Sequence, residues 1–313
     1  MRIIFFGTSI FAVPSLKVLA ASRHKMVLVV TQPDRKKGRH LRLTPPAIKE
    51  VASGLNIPVF QPIAISSVES VERLKQLNAD LFVIVSFGQL LSKSVLDIPK
   101  KFSVNLHASL LPRYRGAAPI NWAIINGEKK TGVSVFRLEE KMDTGDIILE
   151  KEIDIEGNDN AVTLGEKLSQ IGAGVLTEAV DLIDNKKAVF KKQDEGLVSF
   201  APKLKKGDGL IDWGLPAIML HNRVRGLLPW PGAFTNFKNK TLKILETRVV
   251  YGKDNGGAVG RVIGIEPQLG VLVKTIEGCL AIQRLHIEGS RPMGFEEFLR
   301  GHRLEAGDAL GAI

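Results

Sequence analysis

The feature that most constrains this chain is a series of apolar runs set between helical segments. "RIIFF" opens the series, and "MVLVVTQ" (26–32), "IPVF" (57–60), "DLFVIVSFG" (80–88) and "FSVNLH" (102–107) continue it. Each run is rich in β-branched and aromatic residues. "VPSLKVLAAS", "PAIKEVASGL" and "SVESVERLKQLN" lie between them with helical spacing. Strands that are apolar almost throughout and alternate with helices indicate a mostly parallel sheet covered on both faces. The first half is therefore read as a Rossmann-like α/β unit. "TGVSVFRL" (131–138) and "GDIILEKEIDI" (145–155) follow with only a short connection, which predicts an antiparallel pair at the far edge. An amphipathic helix over roughly 161 to 184 closes the unit.

The pattern then changes. Residues 185–209 are polar, basic and punctuated by glycine, as in a linker. Beyond them one helix-like piece, "PAIMLHNRVRGL", precedes closely spaced short strands, which suggest a small barrel or sandwich. The expected organisation is a catalytic domain over 1–188, a linker over 189–208 and a barrel domain over 209–313. At 313 residues, the length fits one large or two ordinary domains. A single cysteine, Cys279, excludes an internal disulfide and suits a reducing compartment. No run approaches a membrane span, and the start carries no leader character, so a cytoplasmic protein is expected.

Charge is unevenly distributed. Residues 1–185 hold 23 Lys/Arg against 20 Asp/Glu, whereas residues 186–292 hold 18 against 9. A basic second half suggests a polyanionic partner, with plain solubility as the alternative. Five of the eight residues from Arg35 to Arg42 are also cationic: Arg35, Lys36, Lys37, Arg39 and Arg42. Such a loop after a strand suits phosphate contacts, the alternative being a solvated charge run. In "RGLLPWPGAFTNFKNK" (225–240), Trp230 and Phe234 are read as core, with a nucleic-acid surface as the other possibility.

Three stretches carry chemistry. Asn105 and His107 stand two apart at the end of a strand, so their side chains share a face at the carboxyl edge, where open parallel sheets bind ligands. Imidazole can move a proton near neutral pH, and a carboxamide can donate to a developing oxyanion. The alternative is a core histidine bonded to a backbone carbonyl. In "KMDTGDIILE" (141–150), Asp143 and Asp146 flank a Thr-Gly turn, and a carboxylate there either orients the imidazole or simply shapes the turn. "FFGTS" lacks the G-x-G-x-x-G of a nicotinamide site, and no residues have metal-ligand spacing.

Together, "NLHASLLPRYRGAAPINWAIINGE" and "TGVSVFRLEEKMDTGDIIL" resemble the signature of the folate-dependent formyltransferases. The resemblance extends from "RIIFFGTSIFAVPSL" through "TQPDRKKGRHL" to "FLRGHRLEAGDALG". It implies a catalytic trio of Asn105, His107 and Asp146, with Asp146 holding His107. It further implies a folate-contacting turn at Ser109, Leu110, Leu111 and Pro112, and a second folate contact at Phe87 and Gly88 within "SFGQLL". The basic loop answers to an insertion that reaches the acceptor arm of tRNA, Arg39 being the closest match to its key arginine. The resemblance also implies that the second domain is a small barrel of the oligonucleotide-binding (OB-like) kind. The implied reaction moves a formyl group from 10-formyltetrahydrofolate to the α-amine of methionine on initiator tRNA, in a monomer and without a metal. A sugar-nucleotide amine is the rival acceptor, and a non-catalytic RNA-binding protein on the same scaffold is a second rival. Gly7-Thr8-Ser9 and Lys141-Met142 depart from the family's usual Gly-Thr-Pro and Gly-Leu.

Overall fold

The computed structural model describes residues 1–37, 42–252 and 257–311. Its chain divides into two compact units. The first contains residues 1–119, 130–154 and 165–201, and the second contains 120–129, 155–164 and 202–313.

The first unit is built on seven strands: β1 (Arg2–Gly7), β2 (Lys25–Val30), β5 (Val59–Phe60), β6 (Leu81–Val85), β7 (Phe102–His107), β9 (Lys130–Arg137) and β10 (Ile147–Asp154). Their order in the sheet is β10-β9-β7-β6-β1-β2-β5. The five strands from β7 to β5 are parallel, while β9 and β10 run antiparallel at the edge, as expected. Two further strands, β3 (Arg35–Lys37) and β4 (Arg42–Thr44), pair as a hairpin, so the basic loop has a regular base; Arg39 lies outside the described residues. The helices α1 (Val13–Ala20), α2 (Ala47–Gly54), α3 (Val68–Gln76) and α4 (Lys93–Leu96) connect the parallel strands. Between β7 and β9 lie a two-residue strand, β8 (Arg115–Gly116), and α5 (Pro119–Ile125). The 24-residue α6 (Ala161–Asp184) follows β10.

Burial explains this choice of elements. All five residues of β6 are buried, and Ile3 through Phe6 of β1 are inaccessible to solvent, which requires cover on both faces. Phe6, Phe82 and Phe87 meet as tilted and edge-on rings in one hydrophobic cluster of the sheet. Gly172 of α6 lies so close to Leu106 that a side chain there would displace the leucine, which sets how closely the helix approaches the sheet.

Past α6, residues 185–209 are more structured than a linker. Lys191 and Ile147 exchange two backbone hydrogen bonds of 2.8 Å. A short strand, β11 (Phe200–Ala201), pairs in parallel with β8. Residues through Ala201 group with the first unit.

The second unit is strand-rich and antiparallel: β12 (Ala233–Phe237), β13 (Lys240–Val250), β14 (Val262–Glu266), β15 (Gly270–Lys274), β16 (Cys279–Ile287) and β17 (Met293–Gly294). The order is β12-β13-β16-β15-β14, with β17 also on β16. Irregularities within Ile244–Thr247 bend the long β13, as bulges do in small curled sheets. α7 (Ala217–Gly226) packs on β13 and β16, and α8 (Phe295–Gly301) packs on β15, β16 and β17. Phe298, Leu280, Ile282 and Ile244 are buried at its centre. Trp230 corrects an expectation: it is 54% exposed rather than core, because it tops the tight turn closed by Gly232 N–H on Leu227 O. Phe234 is half-buried on β12.

Candidate active site

The strand order reverses at β1, whose two neighbours are β2 and β6, and such a reversal opens a crevice at the carboxyl ends of the strands. The loops there are tied together. Thr8 Oγ1 donates to Phe87 O at 2.7 Å, and Ser9 and Ser86 share a 2.8 Å hydroxyl bond. β7 lies beside β6 and carries Asn105 opposite Ile84 and Phe136. The half-buried Asn105 amide has no hydrogen-bond partner among the described residues, so both its donors are available to a ligand.

His107 is buried, at 6% exposure. Its Nε2 lies 2.9 Å from the carbonyl oxygen of Tyr114, and a carbonyl only accepts, so Nε2 carries a proton. The histidine thus has the backbone bond of the structural alternative and still presents Nδ1. That atom lies 3.8 Å from Asp143 Oδ2, too far for a direct hydrogen bond and close enough for an ion pair when the ring is charged. The gap leaves Nδ1 able to meet a third atom.

The expected carboxylate partner of His107 was Asp146, and the structure brings Asp143 there instead. Arg137 N–H donates to the Asp146 carbonyl at 2.9 Å, which draws Asp146 into the β9–β10 ladder. Its side chain has no ion pair or hydrogen bond among the described residues. Asp143 precedes the turn, takes a left-handed backbone (φ 54°) and is 8% exposed. Its Oδ2 accepts from Gly116 N–H at 2.8 Å. Tyr114, the other neighbour of His107, is also left-handed (φ 59°). Such conformations in non-glycine residues cost energy and are found where the surroundings impose them.

The turn over residues 109–112 directs most of its side chains inward. Ser109 is fully buried and its Oγ donates to Arg113 O at 2.6 Å. Leu110 lies on Gly132, where any side chain would collide with it. Leu111 clusters with Phe136 and Ile147, and its N–H donates to Ser134 Oγ at 3.0 Å. Pro112 is buried. The Phe87 ring is also core, at 2% exposure, whereas Gly88 is exposed in a left-handed turn (φ 85°). Of these two stretches, then, Gly88 is exposed while Ser109, Leu111, Pro112 and Phe87 are buried.

At the base of the basic hairpin, Asp34 accepts from Gln61 at 2.7 Å and from Lys49 at 2.7 and 2.9 Å. The Gln61 hydrogen bond, and after it Lys49, hold the Asp34 carboxyl below its ordinary pKa. Arg35 and Lys36 are exposed, and one Arg35 nitrogen donates to Gln32 Oε1 at 3.1 Å. Lys37 closes β3 and Arg42 opens β4, opposite each other in register.

Sequence reasoning did not find the residues that hold this site together. Arg115 is 4% exposed and bonds to Gln193 and Glu195, and this contact lowers the Glu195 pKa, chiefly through the hydrogen bond. The signal in the sequence that could have found it is the cationic pair Arg113 and Arg115 within "LPRYRG".

Residues 1–180 match the family described as "Formyl transferase", and residues 203–303 match "Formyl transferase, C-terminal domain". The chain belongs to the formyl transferase family. Its full-length relatives narrow this class. The methionyl-tRNA formyltransferase of Geobacter sulfurreducens is 46% identical over 311 residues, covering 99% of this chain and 97% of that protein. The methionyl-tRNA formyltransferase of Thermodesulfovibrio yellowstonii is 45% identical, with 97% of each covered. Among solved structures, WlaRD, a sugar 3N-formyl transferase, shares the fold with a TM-score of 0.66 over 93% of this chain and 99% of that one, at 19% identity.

Proposed function

We propose that this enzyme transfers a formyl group from 10-formyltetrahydrofolate to the α-amine of methionine esterified to initiator tRNA. The observation that carries the reading is the likeness, at 46% identity over nearly the whole of both chains, to a methionyl-tRNA formyltransferase. The sugar-transferring structures are alike in fold alone, at 19% identity. The reaction belongs to the cytoplasm, where initiator tRNA is charged, and a monomer suffices for it.

The neutral amine attacks the formyl carbon, and charge develops on the formyl oxygen. The Asn105 amide donates to that oxygen, joined by a proton on His107 Nδ1, the two residues standing two apart at the end of β7. Collapse of the tetrahedral intermediate breaks the bond to N10. His107 gives its Nδ1 proton to N10, and the attacking amine returns one, so protons balance. Asp143 stabilises the charged ring across the 3.8 Å gap, directly or through a water. In this reading Asp143 takes the role first expected of Asp146. The turn from Ser109 to Pro112, with Phe87 and Gly88, forms the wall for the folate. Arg35, Lys36, Lys37, Arg39 and Arg42 meet phosphates of the acceptor arm, together with the basic second domain. The catalytic and tRNA-binding parts expected over 1–188 and 209–313 remain the proposed functional division, and residues 189–201 between them group with the first unit.

The test uses labelled 10-formyltetrahydrofolate with methionyl initiator tRNA, glycinamide ribonucleotide and an amino-sugar nucleotide as parallel acceptors. Transfer to the tRNA alone, abolished by His107→Ala, is the expected result. Transfer only to a small acceptor would overturn the substrate, and folate binding without any transfer would favour a binding protein.

A further inference from the structure

We propose that Gln193 is a positioning residue for formyl transfer, acting within a segment, 191–201, that clamps both oxygen-bearing neighbours of the His107 ring; the catalytic part of this rests on the function proposed above. Two loops supply those neighbours. The loop around residues 114–118 gives the Tyr114 carbonyl to Nε2, and the loop around 143–147 gives the Asp143 carboxylate to Nδ1. Both residues have left-handed backbones, so each needs outside contacts to stay in place.

Segment 191–201 makes those contacts. The Gln193 amide nitrogen donates to the carbonyl oxygens of Asp143 and Gly145, each at 2.8 Å. Its Oε1 accepts from Arg115 Nη2 at 2.7 Å and from Arg115 Nε at 3.1 Å. One side chain therefore joins the Asp143 turn to the residue that follows Tyr114. The orientation of the amide is fixed by chemistry, because turning it over would set oxygen against two carbonyls and NH2 against a guanidinium. Farther along, Ser199 Oγ accepts from Tyr114 N–H at 2.9 Å and Ser199 O accepts from Arg115 N–H at 2.9 Å. Pairing of β11 with β8 then fixes Gly116, whose N–H holds Asp143 Oδ2. Every bond in the chain from Gln193 to the imidazole's two neighbours is thus accounted for.

The competing role for Gln193 is structural: filling space and accepting from the buried Arg115. Gln193→Glu separates the two. It keeps the size of the side chain and strengthens the contact to Arg115, since a carboxylate is the better acceptor, but it has no N–H for Asp143 O and Gly145 O. Gln193→Ala removes both. The experiment measures kcat, KM for each substrate and Tm for both variants, with 15N NMR of the His107 ring nitrogens. A displacement of about 1 Å at a reacting group costs about 100-fold in rate, so both variants are expected to lose roughly that in kcat. KM should stay within about threefold of wild type, the pattern of an interaction made in the transition state. The ring 15N shifts should move in both. A Gln193→Glu enzyme with wild-type kcat overturns the proposal, as does a loss confined to KM or to Tm. Should wild-type protein transfer no formyl group, the functional reading fails, and the NMR still decides the positioning: unchanged His107 signals in both variants sink it.

Discussion

Two oxygens face the His107 ring, and they differ in kind. The Tyr114 carbonyl is neutral and tightly bonded at 2.9 Å, whereas the Asp143 carboxylate is charged and stands off at 3.8 Å. One holds the ring by a hydrogen bond, and the other is the carboxylate proposed above to support charge on it. Asp143→Asn is therefore expected to lower kcat by about 100-fold or more, in the range of acid–base groups. Asp146→Asn, which alters a side chain bonded to nothing among the described residues, should change it far less. Formyl-transfer kinetics on the two variants side by side check this, and equal losses would return the role to Asp146. Asn105→Ala should cost about 100- to 1,000-fold in kcat as the loss of one oxyanion donor. Asn105 and His107 were legible in the sequence because a spacing of two at a strand end admits one geometry. Asp143 and Asp146 were not separable, since both flank Thr144-Gly145. The ladder bond from Arg137 to the Asp146 carbonyl and the Gly116 N–H on Asp143 Oδ2 tell the two apart in the fold.

At the scale of elements, the apolar runs and the helical spacings were enough to place every strand of the parallel sheet, and the helix over 161–184 matched α6. The short strand β11 was illegible for a physical reason. It is two residues long and pairs with residues 85 positions earlier, so no local pattern marks it, and its basic surroundings look like any solvated linker. Within the second unit, α7 carries a pH-sensitive group. Burial pushes the His221 pKa down to about 4, with Arg225 adding to the effect. The unfolded chain binds a proton there near pH 6.5, so the folded state is favoured above that value. That contribution falls away as the pH drops from about 6.5 to about 4. Thermal melts across this window should show Tm falling with pH, with a shallower slope for His221→Gln. An unchanged slope would remove His221 as the cause. Gly145→Ala belongs to this scale too: its new methyl group would overlap the Arg137 carbonyl, so the turn must shift and Asp143 with it. Loss of kcat together with a lower Tm is expected, and a wild-type enzyme would contradict it.

For the molecule as a whole, the charge division between residues 1–185 and 186–292 predicts an RNA affinity dominated by phosphate contacts. Raising salt from 50 to 200 mM should weaken tRNA binding by orders of magnitude, at about 10³-fold for six contacts, while folate binding barely changes. Trp230, exposed on the second unit, offers a flat ring to an RNA base or ribose. Trp230→Ala is expected to raise KM for tRNA several-fold and leave KM for the folate donor alone; equal changes in both would make the ring a packing element. The clamp formed by residues 191–201 also bears on inheritance. A chimaera that keeps residues 1–188 and takes the remainder from a foreign sequence would carry Asn105, His107 and Asp143 but not Gln193 and Ser199. A graft joined after Ala201 would carry all five. Recombination joints that fall between Asn105 and Ser199 should therefore split the proposed centre, whereas joints outside that interval should keep it whole, and a nascent chain should assemble it only after residue 201 has emerged.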